Sequence, residues 1–268
     1  PEQSQQTSHP SETQPTESAA HDKNDSASRP QSHPSQPAPA APVARPVQML
    51  DAKKETLQYD IYWSGVYVGK ASIEASRDEN SMLIISRARS AGVIAAFYTV
   101  DDHAQSILIN NRPYAFTFRQ HEGKNRSDKE TRFDYDANKI AYSNAVKNVR
   151  SEHDLPNFPM WDILSGFYYA RFQPLETGQK FSIDVFDSGK IGRVGVETLK
   201  KEQIEVPNMG TVRTVLIKPN VETEGLFKKK GDILIWLTDD AQRIPVRVET
   251  VIPIGKVSAE LRGRIVEK

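Results

Sequence analysis

The sequence contains no cysteine, and this absence excludes several kinds of chemistry at once. Thiolate catalysis, cysteine-ligated zinc, iron–sulfur clusters and disulfide bonds all require that residue. The chain also lacks any run of about 18 apolar residues, so the sequence predicts no membrane-spanning helix. Its 35 lysine and arginine residues balance its 35 aspartate and glutamate residues. No excess of net charge therefore points to nucleic acid or to an anionic membrane as a partner.

The first 46 residues also lack aromatic residues, leucine, isoleucine and glycine. A segment of this composition cannot bury enough apolar surface to offset the entropy that it would lose on ordering. It contains a proline cluster that favours the semi-extended polyproline II conformation, formed by Pro34, Pro37, Pro39, Pro42 and Pro46. We therefore predict a disordered tether over residues 1–50 and a folded domain over residues 51–268. A dispensable linker and a proline-rich recognition motif are the alternative interpretations of the tail.

The chain starts at Pro1 rather than at a methionine. This start leads us to expect that a signal peptide or an N-terminal membrane or lipid anchor lies upstream of residue 1.

From about residue 57 onward, apolar and polar residues alternate with a period of two, which is typical of antiparallel β-strands. Leu57, Tyr59 and Ile61 show the pattern in the first strand, and Ser64-Gly65 predicts a hairpin turn after it. Further strands are predicted over residues 66–75, 82–88, 103–109, 114–120, 130–135, 140–146, 181–186, 191–206, 212–218, 233–238, 244–251 and 257–265.

One segment, residues 159–172, breaks this alternation, because its apolar residues recur at helical spacing. We predict an amphipathic helix of about three turns, with Asn157 as its cap and Pro159 as its first residue. A dozen strands exceed what a flat sheet usually holds. The sequence therefore predicts a mainly β fold, in which a large curved antiparallel sheet or half-barrel wraps around one amphipathic helix.

The strand predicted over residues 233–238 is apolar on both faces. Ile235 and Leu237 point to one side and Trp236 to the other, which indicates a strand covered on both faces, by a helix or by a ligand. Pro245 lies within the next predicted strand, and a proline there favours a sheet edge or a bulge.

Several stretches resemble the bacterial family known as domain of unknown function 3108, a set of exported proteins. The resemblance spans most of residues 55–262 and rests on YDIYW at 59–63 with VGKA at 68–71, DILS at 162–165 with YYAR at 168–171, and IWLTDD at 235–240 with RIPVR at 243–247. It implies a β-rich, curved-sheet fold and a bacterial periplasmic location or one facing the outer envelope. It brings no established activity and no catalytic residue.

The sequence has no H-E-x-x-H motif, no phosphate-binding glycine loop and no G-x-S-x-G elbow. We therefore expect no metal and no cofactor. Asp162 and the Asp239-Asp240 pair remain as candidates for acid–base chemistry. Stabilisation of a helix start by Asp162 and turn formation by the pair are the alternative roles.

Aromatic residues offer a different kind of site, because apolar pockets with a few polar groups bind ligands. We predict ligand contacts from the aromatic residues of the helix and strands and from two arginines near Pro245, namely Trp63, Trp161, Phe167, Tyr168, Trp236, Arg243 and Arg247. Ordinary packing in the core is the alternative role of the aromatic residues.

These observations support a ranked set of functions. The first is a non-enzymatic, extracytoplasmic envelope protein that binds an apolar or amphipathic ligand, such as a lipid, an acylated protein or a glycan segment, in its curved sheet. The second is an assembly or scaffold module that recognises another envelope protein through a sheet edge near Pro245. A hydrolase that uses acidic residues is third.

Overall fold

The computed structural model describes residues 49–156, 159–221, 232–253 and 255–268. These residues form fifteen strands and two helices, in the order β1 (Lys54–Trp63), β2 (Val66–Arg77), β3 (Ser81–Ser90), α1 (Ile94–Phe97), β4 (Asp101–Ile109), β5 (Arg112–Glu122), β6 (Asn125–Asp134), β7 (Lys139–Asn144), β8 (Val149–Asp154), β9 (Met160–Trp161), α2 (Ile163–Arg171), β10 (Lys180–Asp187), β11 (Lys190–Val206), β12 (Gly210–Val221), β13 (Ile233–Thr238), β14 (Pro245–Ile252) and β15 (Gly255–Glu267).

All fifteen strands belong to one sheet, in the order β8-β7-β6-β5-β4-β3-β2-β1-β15-β14-β13-β12-β11-β10-β9. Neighbouring strands are antiparallel except β9 and β10, which are parallel. Helix α2 contacts β3 and β4 in one half of this order and β9 and β10 at its far end. The sheet must curve around α2 for both halves to reach it. The predicted mainly β fold, with a curved sheet around one amphipathic helix, is confirmed.

The apolar face of α2 packs on the concave side of the sheet. Tyr168 of the helix is fully buried in a cluster with Met82 and Ile84 of β3, Leu108 of β4 and Val185 of β10. Burial of this face is the main reason that a helix of only nine residues is stable here, since short helices are marginal without tertiary packing.

The predicted start of the helix is wrong. The helix begins at Ile163 with Asp162 as its N-cap, whereas Met160 and Trp161 pair with β10 as a short strand. Asp162 is favoured as the cap because its side chain accepts hydrogen bonds from the backbone N–H groups of Leu164 and Ser165. Asn157, the predicted cap, lies outside the described residues.

The C-terminal end of α2 is held to the sheet by Arg171, which is fully buried. Its Nη1 atom donates a hydrogen bond to Glu55 Oε2 of β1 at 2.9 Å, and its Nε and Nη2 atoms donate to the carbonyl oxygens of Arg243 and Gln242. Arg264 of β15 donates to the other oxygen of Glu55 at 3.1 Å. The helix is therefore tied to the region where β1 meets β15.

Strand β13 is covered on both faces, as predicted. Ile235 and Leu237 belong to an apolar cluster with Leu175, whereas Trp236 belongs to a second cluster with Leu57 and Leu261. The sheet therefore carries packed apolar side chains on both sides of this strand.

Pro245 does not lie at a sheet edge, so that part of the prediction is wrong. It begins β14, which pairs with β13 and β15, and it lies beside a bulge between Trp236 and Leu237. The predicted bulge is confirmed. The bulge accommodates a residue without a backbone N–H, and the Pro245 carbonyl accepts a hydrogen bond from the hydroxyl of Tyr59 at 2.8 Å. The ends of the described sheet are β8 and β9.

The first two described residues are part of the core. Met49 and Leu50 are buried in the cluster around α2, together with Ala75 and Met82. Residues 1–48, which hold nearly all of the predicted tether, lie outside the described residues, so the tether stays a prediction.

Candidate functional site

The structure places the three predicted ligand residues around the helix in one apolar cluster. Trp161 and Tyr168 are buried there, and Phe167 packs against the cluster while remaining partly exposed. Trp161 stacks on Tyr169 with ring centroids 4.5 Å apart, and Phe167 meets Tyr168 edge-on at 6.0 Å. These contacts show packing in the core, and ligand binding by the three residues stays a prediction.

The other four predicted residues lie elsewhere. Trp236 and Arg247 are neighbours, with the guanidinium 6.0 Å from the ring centroid, and Trp236 Nε1 donates to Glu202 Oε1 at 2.8 Å. Arg243 lies in the turn between β13 and β14, where its Nη1 donates to Asp239. Trp63 ends β1. The seven residues therefore do not converge on one site.

The carboxylates proposed for acid–base chemistry have structural partners. Asp240 Oδ1 accepts hydrogen bonds from the backbone N–H groups of Gln242 and Arg243, at 2.8 and 3.1 Å, which stabilise the turn. Asp239 forms ion pairs with Arg243 and Lys201. Asp162 is fully buried, and its Oδ2 accepts from the Ser106 hydroxyl at 2.7 Å. Each of the three carboxylates contributes to a turn or a helix cap.

Replacing Asp162 with asparagine should change how stability depends on pH. Burial raises the Asp162 pKa above its ordinary value of 3.8, although hydrogen bonds from Ser106, Ser165 and Leu164 oppose this shift. The folded state therefore binds the proton more tightly than the unfolded state. Relative to Asp162→Asn, we expect wild-type stability to fall as the pH rises from 3.8 to the folded pKa, by up to about 1.4 kcal/mol per pH unit.

Urea denaturation of both proteins between about pH 3 and pH 7 measures this difference. Parallel stability curves would contradict it. Asp162→Ala provides the comparison for the cap itself. Relative to Asp162→Asn, which keeps an oxygen acceptor and also cannot ionise, it should cost about 1–2 kcal/mol at every pH, because it removes the acceptor for two helix N–H groups.

A surface groove offers a different arrangement of polar groups. It lies on the face of β15, β1, β2 and β3 that points away from α2, which we call the outer face, because residues alternate between the two faces of a strand. Its volume is about 310 Å³. We call it the basic groove, and its lining is Gln58, Tyr59, Asp60, Lys70, Ala71, Ser72, Arg87, Arg89 and Arg262.

The strand register brings these residues together from distant parts of the chain. Lys70 of β2 lies beside Asp60 of β1 and Arg89 of β3, and Ser72 lies beside Arg87. Arg262 reaches the groove from β15, where its Nη1 donates to Asp60 Oδ2 at 2.8 Å. The four basic side chains therefore come from three strands.

The charges in the basic groove do not cancel. Arg262 pairs with Asp60, and Arg89 pairs with Asp101 at 2.9 Å. Within the part of the chain that the structure describes, neither Lys70 nor Arg87 has a carboxylate within ion-pair distance. Two basic groups thus remain available to an anionic group of a ligand, for which arginine and lysine are the usual partners.

His103 extends the groove along the outer face. It lies between Arg87 of β3 and Arg119 of β5. Partial burial lowers the pKa of His103 below its ordinary value of 6.5, the two arginines lower it further, and Asp101 opposes them. His103 is therefore neutral at pH 7, so it adds no charge to the groove.

The basic groove was not predicted from the sequence. The available signal was the pairing of the predicted strands 66–75 and 82–88, in which Lys70 and Arg87 occupy positions on the same face. Arg89 lies just beyond the predicted end of the second strand. Arg262 carried no such signal, because the pairing of the first strand with the last does not follow from local sequence.

A protein-family model described as "Protein of unknown function (DUF3108)" matches residues 58–262. The chain belongs to this family. The match begins at Gln58 and ends at Arg262, so all the residues that line the basic groove lie within the DUF3108 region. A search of curated proteins gave no match.

A solved structure shares the fold of this DUF3108 protein. It is described as the crystal structure of a beta-barrel-like protein of domain of unknown function DUF1849 from Brucella abortus, with a TM-score of 0.54 and 10% sequence identity. The similarity covers 82% of this chain and 100% of that chain. At this identity the likeness concerns the fold alone.

The described residues of the DUF3108 protein hold neither a grouped set of metal ligands nor a helix that could cross a membrane. Within ranges 49–156, 159–221, 232–253 and 255–268, no three His, Cys, Asp or Glu side chains are grouped to hold a metal ion. In the same ranges, neither helix has the length and apolar character needed to cross a membrane.

Proposed function

We propose that this DUF3108 protein is a non-enzymatic protein of the bacterial cell envelope that binds an amphipathic molecule carrying a phosphate or carboxylate group. The anionic group contacts Lys70 and Arg87 in the basic groove. The observation that carries the proposal is that these two cations share one groove and lack a carboxylate partner within the described residues.

The groove supports binding rather than catalysis. Its lining offers one carboxylate, Asp60, and that carboxylate is engaged by Arg262. Like-charged groups held side by side repel one another, and an anion between Lys70, Arg87 and Arg89 relieves that repulsion. A charge-assisted hydrogen bond from either side chain to a phosphate contributes about 1.5–3 kcal/mol.

The envelope location rests on the composition of the first 46 residues and on the resemblance to exported proteins. The proline-rich tether predicted upstream of the domain would let the domain reach ligands away from an anchor. Envelope lipids and acidic glycans supply the phosphate and carboxylate groups that fit the groove.

A short-chain phosphatidylglycerol, used below the concentration at which it forms micelles, is a suitable probe. We expect isothermal titration calorimetry to show that it binds the wild-type protein. Lys70→Gln/Arg87→Gln should weaken binding at least about tenfold, because it removes both unpaired charges. Short-chain phosphatidylcholine, which has no net charge, should bind no more tightly than phosphatidylglycerol binds to the double variant.

The matched control is Arg132→Gln/Lys139→Gln, which removes the same charge from β6 and β7. It should leave the affinity for phosphatidylglycerol unchanged. Failure of the wild-type protein to bind the anionic lipid, or equal affinity in all three proteins, would refute the proposed function. Lys70 and Arg87 are exposed and form no ion pair with the described residues, so thermal unfolding of the groove variant should match that of the wild type. The control removes surface ion pairs of Arg132 and Lys139, each of which contributes about 0–1 kcal/mol.

A second candidate function is assembly with another protein through a sheet edge. Strand β8 pairs only with β7 in the described sheet, so one side of its backbone is open to a further strand. Hydrogen exchange of the full chain, with and without a detergent-solubilised envelope extract, should then show slower exchange of β8 amides. Unchanged exchange in β8 removes this candidate.

A further inference from the structure

Large apolar side chains are exposed at one end of the strands beside the basic groove. Phe97 is 83% exposed, Val93 78% and Val66 61%, and Tyr67 and Tyr98 are also exposed. We call these five residues the apolar edge. They belong to the start of β2 and to the connection between β3 and β4, which contains α1.

Backbone hydrogen bonds make these residues one surface. The N–H of Ala91 donates to the carbonyl of Val68 at 2.8 Å, which holds the α1 connection against β2. The N–H of Gly123 donates to the carbonyl of Thr99 at 2.7 Å, which ties the same connection to the turn between β5 and β6. The apolar edge is therefore a defined part of the sheet end.

The apolar edge does not serve the core. Helix α1 contains no buried residue, and Val93 and Phe97 belong to none of the apolar clusters of the described residues. Contiguous exposed apolar side chains on a folded protein usually mark a surface that meets a membrane or another protein.

The charges beside the apolar edge decide between these partners. Four cations near it have no carboxylate within ion-pair distance in the described chain: Lys70, Arg87, Lys124 and Arg126. Asp60 and Asp101 are already paired with Arg262 and Arg89. The remaining acidic residues at this end of the sheet, Asp102 and Glu122, are fewer than the four cations. A basic border around exposed apolar and aromatic residues is complementary to a bilayer surface that contains anionic lipids.

We infer that the apolar edge inserts into the interface of an anionic bilayer, so that the basic groove lies at the level of the lipid headgroups. The inference deepens the proposed function, on which it rests, by assigning the bilayer surface as the place where the ligand is met. Tyrosine and tryptophan are favoured at such interfaces, and Trp63 lies at the same end of the sheet as Tyr67 and Tyr98.

The geometry of β2 is consistent with this arrangement. Lys70 follows Val66 by four residues in the same strand, which corresponds to roughly 13 Å at about 3.3 Å per residue. Interfacial segments bury their apolar side chains about 5–10 Å into a membrane. Insertion of Val66 and its neighbours to that depth therefore leaves Lys70 among the headgroup phosphates.

The test uses the full chain and vesicles made of equal parts of phosphatidylglycerol and phosphatidylcholine. We expect wild-type protein to sediment with these vesicles, and binding to weaken as salt is added. Val93→Ser/Phe97→Ser should weaken vesicle binding at least about tenfold, because the inserted apolar area is lost. Both residues are exposed, so thermal unfolding of the double variant should match that of the wild type.

The matched control, Ile109→Ser/Tyr114→Ser, removes two exposed apolar residues from the opposite end of β4 and β5. It should bind the vesicles as the wild type does. Unchanged vesicle binding by Val93→Ser/Phe97→Ser, or equal loss in the control, overturns the inference. So does a wild-type dimer that dissociates on Val93→Ser/Phe97→Ser, since a second copy would then cover the apolar edge.

Binding of soluble short-chain phosphatidylglycerol separates this inference from the proposed function. If Val93→Ser/Phe97→Ser keeps both soluble-lipid and vesicle binding, the inference fails and the proposed function stands. If the wild type binds vesicles but not the soluble anionic lipid, the proposed function fails.

Discussion

Replacing Arg171 with methionine should lower the free energy of unfolding by about 3–5 kcal/mol. The guanidinium is fully buried and forms hydrogen bonds with Glu55 and with two backbone carbonyls, and it lies 4.7 Å from the ring centroid of Tyr168. Methionine fills part of the space but leaves the carboxylate of Glu55 buried with Arg264 as its remaining partner. Urea denaturation monitored by tryptophan fluorescence measures the loss.

Arg132→Met is the matched control for this prediction. Arg132 also forms an ion pair with a glutamate, at 2.7 Å, but its side chain is 60% exposed. Exposed pairs contribute about 0–1 kcal/mol, so the control should lose little. Similar losses in the two variants would show that burial of the Arg171–Glu55 pair is not what stabilises α2. Arg171→Met/Glu55→Gln should recover part of the loss, because the buried carboxylate of Glu55 is then also removed.

Gly69→Ala should also destabilise the domain, by about 1–3 kcal/mol or more. A Cβ atom at Gly69 would lie 2.3 Å from the carbonyl oxygen of Arg89, so the backbone of β2 or β3 would have to move. Gly69 is close to the bulge between Ile61 and Tyr62, where β1 and β2 shift register. Because Lys70 and Arg89 flank this contact, the same substitution should weaken binding of short-chain phosphatidylglycerol.

Gly263→Ala is the matched control, since Gly263 is also a strand glycine. A Cβ atom there would meet only the flexible Gln58 side chain, at 3.4 Å. Alanine reduces the entropy of the unfolded chain, so this variant should be as stable as the wild type or more stable by about 0.4–1 kcal/mol. Thermal unfolding compares the two variants directly. Equal melting temperatures would contradict the role assigned to the close approach of β2 and β3.

Much of the sheet was predictable because each buried face imposes a two-residue period on its strand. The prediction for residues 233–238 agrees with β13, Ile233–Thr238, since its alternation is apolar on both faces. Strand β8, Val149–Asp154, was missed because its six residues are mostly polar and none of them is buried. An edge strand held mainly by backbone hydrogen bonds leaves little trace in the sequence.

The start of α2 shows a different limit. Pro159 and Asn157 are reasonable helix-start residues by local propensity, and the apolar spacing begins at Met160. Tertiary contacts move the start of the helix to Ile163. Met160 and Trp161 are buried as a strand beside β10, and the Asp162 side chain accepts a hydrogen bond from Ser106 of β4. Partners this distant in sequence cannot be identified from local pattern.

The basic groove depends on the same long-range information. Lys70 and Arg87 lie in two consecutive predicted strands, 66–75 and 82–88, so their common face was within reach of the sequence. Arg262 was not, because it joins them only through pairing of β1 with β15. The aromatic residues were predicted as ligand contacts because of their size and spacing, but the same size and spacing are equally typical of core residues.

The pairing of β1 with β15 has a consequence for how the chain acquires its structure. Lys54 lies opposite Glu267, so the first strand made has to wait for the last. Until β15 has been synthesised, β1 and β14 each have a row of backbone N–H and C=O groups without hydrogen-bond partners. Contacts between residues this far apart in sequence also form slowly. Removing about a dozen residues from the C-terminus would therefore leave two strand edges unpaired at once. We expect such a chain to aggregate and not only to lose stability.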